Sequence, residues 1–426
     1  MVKKSGVIEG FYGIPWTFDQ RLSMIDFLKD IGMNSYIYAP KDDPYHNKKW
    51  REAYPAAELE EIKTLARRAN DKNVDFIWAI HPGQNLFDFD DYENEIAKIY
   101  AKYKQLLGAG VKSFGLCMDD IDKNLAYQRR NDHMRLVRDL ASFVGENCQS
   151  PLYFVHPWYN DDWINEDGLR YEALLRDIDN INIMWTGPRV VSPISHKSNE
   201  NFYKRLGKRP YIWFNWPVND YKPGQIFIEI FEFFDDQDLN FDGFFLNPMN
   251  QPELSKIAIY QANEYLKNPS TYSPWQAFER ALAYVDKDVA GDILDLAPSF
   301  FASLVYERSD QKLYLADDDL IKAHQAKDVE EFRKILEEKK KSIASIRENH
   351  TNKALYGELS PFIESLDHLL DANLYRLSND KESCRVAYEA AKSIKIQILD
   401  EDGIKEKNVE TSKFLDGLCK EFLKSS

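Results

Sequence analysis

The sequence has little cysteine and no long apolar run. Its four cysteines, Cys117, Cys148, Cys384 and Cys419, form no CxxC pair and show no metal-ligand spacing. No stretch approaches the roughly 20 apolar residues of a membrane-spanning helix, and the opening MVKKSGVIEGFYG lacks the apolar core of a secretory signal. These absences argue against a disulfide-rich secreted domain and a membrane protein. We expect a reduced, cytoplasmic protein without a membrane partner.

Basic residues are also fewer than acidic ones. The 55 Lys and Arg residues face 70 Asp and Glu residues, which gives a formal net charge of -15. A phosphate backbone would on average be repelled, so we expect no nucleic-acid partner. A chain of 426 residues is long enough for a barrel of about 250 residues and one smaller domain.

Short apolar and aromatic segments recur along the first part of the chain with helical stretches between them. Eight such segments predict strands: GVIEGFYG, NSYIYAPK, VDFIWAIHPG, SFGLCMDD, LYFVHPWY, INIMWTGP, PYIWFNWP and DGFFLNP. The rhythm is typical of a parallel sheet, and eight repeats close a barrel. Thr17 and Gln20 predict a capping box that opens the first helix, which should end before Gly32.

The pattern changes after about residue 272, where Ser273 and Pro274 predict a helix start and no convincing strand follows. Apolar residues then recur at helical spacing, as at Phe362, Leu366 and Leu369. We therefore predict a (β/α)8 TIM-type barrel over residues 1–272 and an all-α helical bundle over residues 273–426. An apolar stripe on this bundle would be compatible with a homodimer.

Two adjacent carboxylates, Asp119 and Asp120, end the apolar segment FGLCMDD. Asp pairs at 42–43, 161–162 and 235–236 show that adjacency alone proves nothing. However, strand ends of a βα barrel converge on one face, the usual active-site face. Other polar or unusual residues follow the remaining strands: Gly10, Tyr12, Lys41, Tyr159, Thr186, Asn215, Asp220 and Asn247.

The chemistry of such a pair favours a division of labour. Neighbouring strand residues point to opposite sides, so Asp119 and Asp120 can serve one ligand only if the backbone bends at the strand end. Two close carboxyl groups do not easily ionise together, so one can act as an acid while the other accepts. That division suits the hydrolysis of glycosides.

A sugar also requires hydroxyl recognition and apolar walls. The polar strand ends offer the first, and several rings near them could offer the second: Trp158, Trp185, Trp213, Trp216 and Tyr159. A ring in a barrel strand belongs to the core more often than to a ligand wall. Each ring alone is therefore weak evidence.

Six blocks of this sequence resemble glycoside hydrolase family 84. They are GVIEGFYGIPWTFDQR, YIYAPKDDPYHNKKWREAYP, FGLCMDDID, WTGPRVV, WFNWPVNDY and FFLNPMNQPELSKIAIY. Members of this family are retaining β-N-acetylglucosaminidases, among them the O-GlcNAcases. The resemblance implies a substrate with a terminal β-linked GlcNAc, which a glycoprotein could carry. It implies substrate-assisted catalysis through an oxazoline, with no cofactor and no metal.

The resemblance also implies roles for matching positions. Asp119 would accept the N–H of the substrate's acetamido group, and Asp120 would protonate the leaving oxygen and then deprotonate water. Tyr159 would bond the acetamido oxygen, and Asn215 would support that end of the sugar. Further residues would wall the pocket or hold the sugar hydroxyls: Thr186, Trp213, Gly10 through its backbone, Lys41, Asp220 and Asn247.

Two other classes of function stay open at this point. A non-catalytic GlcNAc-binding barrel would be expected to lose a carboxylate or an anchoring residue, whereas this sequence keeps them. A metal-dependent hydrolase could use Asp119 and Asp120 with His81 or His156, and insensitivity to EDTA would exclude it. Each histidine precedes a proline, so we expect both to tie loop backbone together.

Overall fold

Eight parallel strands close into a barrel in chain order in the computed structural model, which describes residues 2–83, 87–234, 240–310, 312–400 and 402–425. The strands are β1 (Lys4–Glu9), β2 (Ser35–Tyr38), β3 (Asp75–Ile80), β4 (Ser113–Cys117), β5 (Leu152–Val155), β6 (Ile181–Trp185), β7 (Tyr211–Phe214) and β8 (Gly243–Leu246). β1 pairs with both β2 and β8, which closes the ring. All eight predicted strands are confirmed.

The interior of the barrel is filled by alternate residues of the strands. Ile77 and Ala79 of β3 share one buried cluster with Tyr211 and Trp213 of β7. Residues two apart in a strand point to the same side, so each of these pairs faces inward. The barrel is therefore a packed core, and a ligand can approach only at its ends.

Among the described residues, seven α-helices belong to the same part of the chain as the barrel strands. They are α1 (Phe18–Ile31), α2 (Ala56–Asp71), α3 (Tyr92–Gly108), α4 (Lys123–Gln128), α5 (Arg130–Cys148), α6 (Glu166–Leu175) and α7 (His196–Leu206). The predicted capping box of α1 is present, because Thr17 and Gln20 each accept the other's backbone N–H. Gly32 ends α1 in the left-handed conformation that glycine adopts most easily.

The remainder of the chain is mostly helical. Its helices are α8 (Pro252–Lys267), α9 (Pro274–Asp286), α10 (Ala290–Leu296), α11 (Leu304–Arg308), α12 (Asp318–Gln325), α13 (Val329–Asn349), α14 (Lys353–Leu377), α15 (Lys381–Ser393) and α16 (Lys413–Lys424). α9 begins at Pro274 as predicted, although Ser273 makes no side-chain cap. Phe362, Leu366 and Leu369 are buried, as their spacing predicts.

An antiparallel hairpin interrupts this helical region, so the expectation that no strand follows residue 272 is wrong. β9 (Lys395–Asp400) pairs with β10 (Gly403–Asn408). β10 has the sequence GIKEKN and is largely exposed, so it lacks the apolar signature used to predict strands. In β9, Ile396 and Ile398 alternate with polar residues, and this alternation together with the Asp402-Gly403 dipeptide at the turn was the available signal.

The chain divides into two compact units. One contains Met1–Trp216 and Phe234–Pro248, and the other contains Pro217–Phe233 and Met249–Ser426. The predicted division into residues 1–272 and 273–426 stays a prediction. Within the described ranges, no helix is both long and apolar enough to cross a membrane.

Candidate active site

The backbone bends where β4 ends, at the two adjacent carboxylates. Asp120 has a φ angle of 54°, which lies in the left-handed region that residues with a side chain rarely adopt. Such conformations are costly and are often found at functional sites. The bend that the sequence argument required is therefore present. It gives Asp119 and Asp120 different surroundings, because Asp119 is buried and Asp120 is exposed.

Asp119 is held as an ionised carboxylate. Its Oδ2 atom accepts a hydrogen bond from Lys41 Nζ at 2.8 Å, and His81 Nε2 lies 3.4 Å from its Oδ1 atom. Burial alone would raise the pKa of Asp119, but Lys41 and His81 hold that pKa well below its usual range. Lys41 thus stabilises the negative charge that an acceptor role requires.

Asp120 is bound by two phenol groups. Tyr159 donates to its Oδ1 atom at 2.8 Å, and Tyr12 donates to its Oδ2 atom at 3.2 Å. Burial, together with Asp120, raises the pKa of Tyr159 above its ordinary value, so this hydroxyl keeps its proton at neutral pH. Both oxygens of Asp120 therefore accept from neutral donors at an exposed position.

Gly10 lies where no larger residue fits. A Cβ atom at this position would be 2.4 Å from Cζ2 of Trp213. Trp213 is buried, and Lys41 Nζ lies 5.8 Å from its ring centroid. The close approach of the Gly10 backbone thus depends on the missing side chain. It brings the ends of β1, β2 and β7 together around the Lys41 ammonium.

Thr186, Asn215 and Asn247 connect the loops that follow β6, β7 and β8. The Thr186 hydroxyl donates to the backbone oxygens of Tyr159 and Arg189, at 3.3 and 3.1 Å. Asn215 Nδ2 donates to the Val190 oxygen at 2.7 Å, and Asn247 Nδ2 donates to Asn215 Oδ1 at 3.0 Å. These side chains fix one another's orientation before any ligand arrives.

Three buried polar atoms of this site have no hydrogen-bond partner within the described residues. They are Asp119 Oδ1, Asn247 Oδ1 and the indole N–H of Trp213. Buried polar groups are rarely left without a partner, so each one calls for an explanation. Two free acceptors and one free donor are the groups with which a hydroxyl- and amide-bearing ligand could bond.

Three of the rings considered as ligand walls are core residues instead. Trp158, Trp185 and Trp216 are at most 1% exposed, so they take the core position that the sequence argument favoured for a ring in a barrel strand. Trp158 packs against Tyr171, and the Trp185 indole donates to Asp161. Position at a strand end did not distinguish them, because the sequence does not show which way each ring turns.

Asp220 is the one predicted site residue that lies outside the barrel unit. It is half-buried in the segment Pro217–Phe233, which belongs to the second compact unit. Its role toward the sugar stays a prediction. The other predicted residues belong to the barrel unit: Gly10, Lys41, Asp119, Asp120, Tyr159, Thr186, Trp213, Asn215 and Asn247.

The two histidines behave differently. His81 Nε2 donates to the backbone oxygen of Asp119 at 3.0 Å, so the expectation that it ties loop backbone is confirmed. His156 does not do so, because neither of its ring nitrogens has a hydrogen-bond partner in the described structure. Among the described residues, no three His, Cys, Asp or Glu side chains are grouped so that they could hold a metal ion.

Sequence reasoning left out contacts that matter at this site. Tyr12 stands at a strand end, but the sequence indicated no role for it, and it linked His81 with Asp119 only as a possible metal ligand. Lys123 and Trp163 carried no signal in the sequence. Lys123 opens α4, and its ammonium lies 3.8 Å from the centre of the Trp163 ring. The partners of both carboxylates thus come from segments distant in sequence.

Comparisons with known proteins agree with this geometry. A family model described as beta-N-acetylglucosaminidase matches residues 5–297. The proteins named Protein O-GlcNAcase from Rattus norvegicus and Mus musculus are each 33% identical over 239 residues, which cover 52% of this chain. The matched region spans only 25% of the length of either relative.

Solved structures show the same fold. The structure named CpGH84D superposes with a TM-score of 0.84 at 25% identity, covering 99% of this chain and 74% of that one. An O-GlcNAc hydrolase from Thermobaculum terrenum has a TM-score of 0.80 at 22% identity, over 100% and 95% of the two chains, and supports the fold alone. The family model covers most of this chain and includes both carboxylates. The chain belongs to glycoside hydrolase family 84, the β-N-acetylglucosaminidase family.

Proposed function

We propose that the protein is a retaining exo-β-N-acetylglucosaminidase that removes terminal β-linked GlcNAc by substrate-assisted catalysis. The observation that carries the proposal is the Oδ1 atom of Asp119, a buried acceptor that receives no hydrogen bond from the described residues, on an ionised carboxylate beside the exposed Asp120. An amide N–H is a suitable partner for that atom. The 2-acetamido group of GlcNAc supplies one next to the anomeric carbon.

The first half of the reaction forms an oxazoline. The acetamido oxygen attacks C1, the bond from C1 to the leaving oxygen breaks, and Asp120 gives its proton to that oxygen. A carbonyl oxygen is a poor nucleophile in solution, but correct placement near C1 gives an intramolecular advantage of up to about 7 to 11 kcal/mol. Positive charge grows on the amide nitrogen, where the Asp119 carboxylate stabilises it.

The second half reverses these roles. Asp120 takes a proton from water, the resulting nucleophile attacks C1, and the oxazoline opens to return the acetamido group. Two inversions at C1 give net retention, and the enzyme needs no nucleophile of its own. Because its carboxylate is exposed, Asp120 is suited to this exchange with substrate and water.

The remaining residues hold the sugar. We assign the acetamido pocket to Tyr159, Thr186, Trp213 and Asn215, and Tyr159 would turn its hydroxyl from Asp120 to the acetamido oxygen when substrate binds. The sugar hydroxyls would meet the Gly10 backbone and the side chains of Lys41 and Asn247, and the role of Asp220 stays the one that the resemblance implies. Asn247 has a free acceptor for this purpose.

A glycoprotein substrate is proposed on the names of the two mammalian relatives. The expectations of a cytoplasmic location and of neither nucleic-acid nor membrane partners rest on composition, and they stay predictions. A homodimer through the helical region also stays a prediction. The alternative function, a GlcNAc-binding protein without catalysis, keeps the same pocket and differs in turnover.

The testing experiment compares three aryl glycosides: a β-N-acetylglucosaminide, its N-trifluoroacetyl analogue and a β-glucoside. Fluorine weakens the carbonyl nucleophile, so we expect a steep fall in kcat/KM for the second and no turnover of the third. Equal rates on all three would exclude acetamido participation. Binding of GlcNAc without any turnover would favour the alternative.

Substitution by Asn can distinguish the roles of the two carboxylates. Asp119→Asn and Asp120→Asn should each reduce turnover severely. Asp120→Asn should largely spare a substrate with a very acidic leaving group, because such a group needs little protonation. If Asp120→Asn lost turnover equally on substrates with good and with poor leaving groups, the assignment of Asp120 as the acid would be refuted.

A further inference from the structure

A cation and an aromatic ring bridge the two loops that carry the catalytic machinery. Lys123 Nζ lies 3.8 Å from the centre of the Trp163 ring. That ring packs edge to face against Tyr159, with 4.8 Å between ring centres, and Tyr159 donates to Asp120. Lys123, Trp163 and Tyr159 therefore form a continuous rim that ends at the proposed acid.

Both members of the bridge are anchored by their backbones. Lys123 is the first residue of α4, whose N-terminus is capped by Asp122 through a 2.7 Å bond to the Leu125 N–H. Trp163 is the last residue of a 3-10 turn, and its backbone N–H donates to the Asn160 side chain. The fold thus fixes the backbone of both residues, and the contact with the Trp163 ring places the Lys123 ammonium.

Lys123 makes no ion pair within the part of the chain that the structure describes, in contrast to Lys41, which is bound to Asp119. The carboxylates nearest to it in sequence are Asp120 and Asp122. Both interact electrostatically with the Lys123 ammonium. Asp120 must carry a proton, and hence no charge, when it releases the aglycone, so only Asp122, which also caps α4, then opposes the positive charge of Lys123.

We propose that Lys123 and Trp163 form an aglycone subsite that selects GlcNAc-bearing peptides with an acidic residue beside the glycosylated one. This inference rests on the proposed function, because Asp120 marks the leaving-group side of the sugar only if it is the acid. The aglycone must pass Asp120, and the rim lies there. Lys123, which lies over the Trp163 ring, attracts the carboxylate of the peptide, and the part of the ring that stays exposed supports an apolar part of it.

The experiment measures kcat/KM for two GlcNAc-serine peptides that differ only in having Glu or Gln on both sides of the serine. We expect the wild type to prefer the Glu peptide by about fivefold at low salt and less at high salt. Lys123→Met should bring the ratio to about one, because it keeps the length of the side chain and loses the charge. Lys123→Arg should keep the preference.

Lys112→Met is the matched control. Lys112 is an exposed lysine just before the other end of β4, so its loss changes the net charge equally and should leave the Glu to Gln ratio unchanged. A wild-type ratio of one, or a preference that survives in Lys123→Met, would overturn the proposal. The proposal would also be overturned if the enzyme showed no charge preference among peptides and preferred only GlcNAc-uronic acid disaccharides to their methyl esters. Failure of the wild type on a neutral aryl β-N-acetylglucosaminide would instead refute the proposed function.

Discussion

Removal of the Lys41 ammonium should destabilise the barrel through Asp119. The Nζ and Oδ2 atoms are 2.8 Å apart, and the two side chains are only 13% and 7% exposed. Removing one partner of a buried ion pair costs about 3 to 5 kcal/mol, because the other charge stays buried without compensation. We expect Lys41→Met to lower the free energy of unfolding by an amount near the lower end of this range, since His81 still lies beside Asp119.

The loss should depend on pH in a definite direction. In the wild type the folded pKa of Asp119 is depressed, so its contribution to stability is present above the unfolded value of about 3.9 and is lost as pH falls through the folded pKa. Without Lys41, burial dominates and raises the folded pKa. The variant then loses stability as pH rises from about 4 through that new value, so its deficit is largest at neutral pH and shrinks on acidification.

Urea unfolding followed by tryptophan fluorescence is the appropriate assay. All tryptophans except Trp275 belong to the barrel unit, so the signal reports the unit that contains the ion pair. The controls are Asp119→Asn and the double variant, which should be more stable than the sum of the single losses predicts. A deficit that does not change between about pH 5 and pH 8, or strict additivity, would refute the reasoning.

Two further predictions concern Gly10 and Tyr159. Gly10→Ala should cost about 1 to 3 kcal/mol in urea unfolding, because its Cβ would meet Trp213; if Trp213→Phe relieves none of this loss, the contact is not its cause. Tyr159→Phe should lower kcat/KM equally for good and poor leaving groups, because the proposed contact is with the acetamido oxygen; a loss confined to poor leaving groups would show that its bond to Asp120 matters instead.

Much of the fold could be predicted because its signals are local. Each barrel strand is a short apolar segment with turn residues at its ends, and the α1 capping box lies within four residues of sequence. The hairpin of β9 and β10 gives a weaker signal, because β10 is largely exposed and mostly charged and β9 has only a short apolar alternation of partly exposed residues. Pattern reading therefore succeeded for buried elements and failed where a strand buries little.

The candidate site shows the same boundary between local and distant information. Their adjacency and their position at the end of β4 predicted Asp119 and Asp120 as site residues. Adjacency does not predict the different surroundings of the two carboxylates. Lys41, which precedes Asp119 by 78 residues, keeps that carboxylate ionised. Tyr159, which follows Asp120 by 39 residues, donates a hydrogen bond to it. Only closure of the barrel brings such partners together. Two identical neighbours can thus take different chemical roles because the left-handed turn at Asp120 directs them toward different strands.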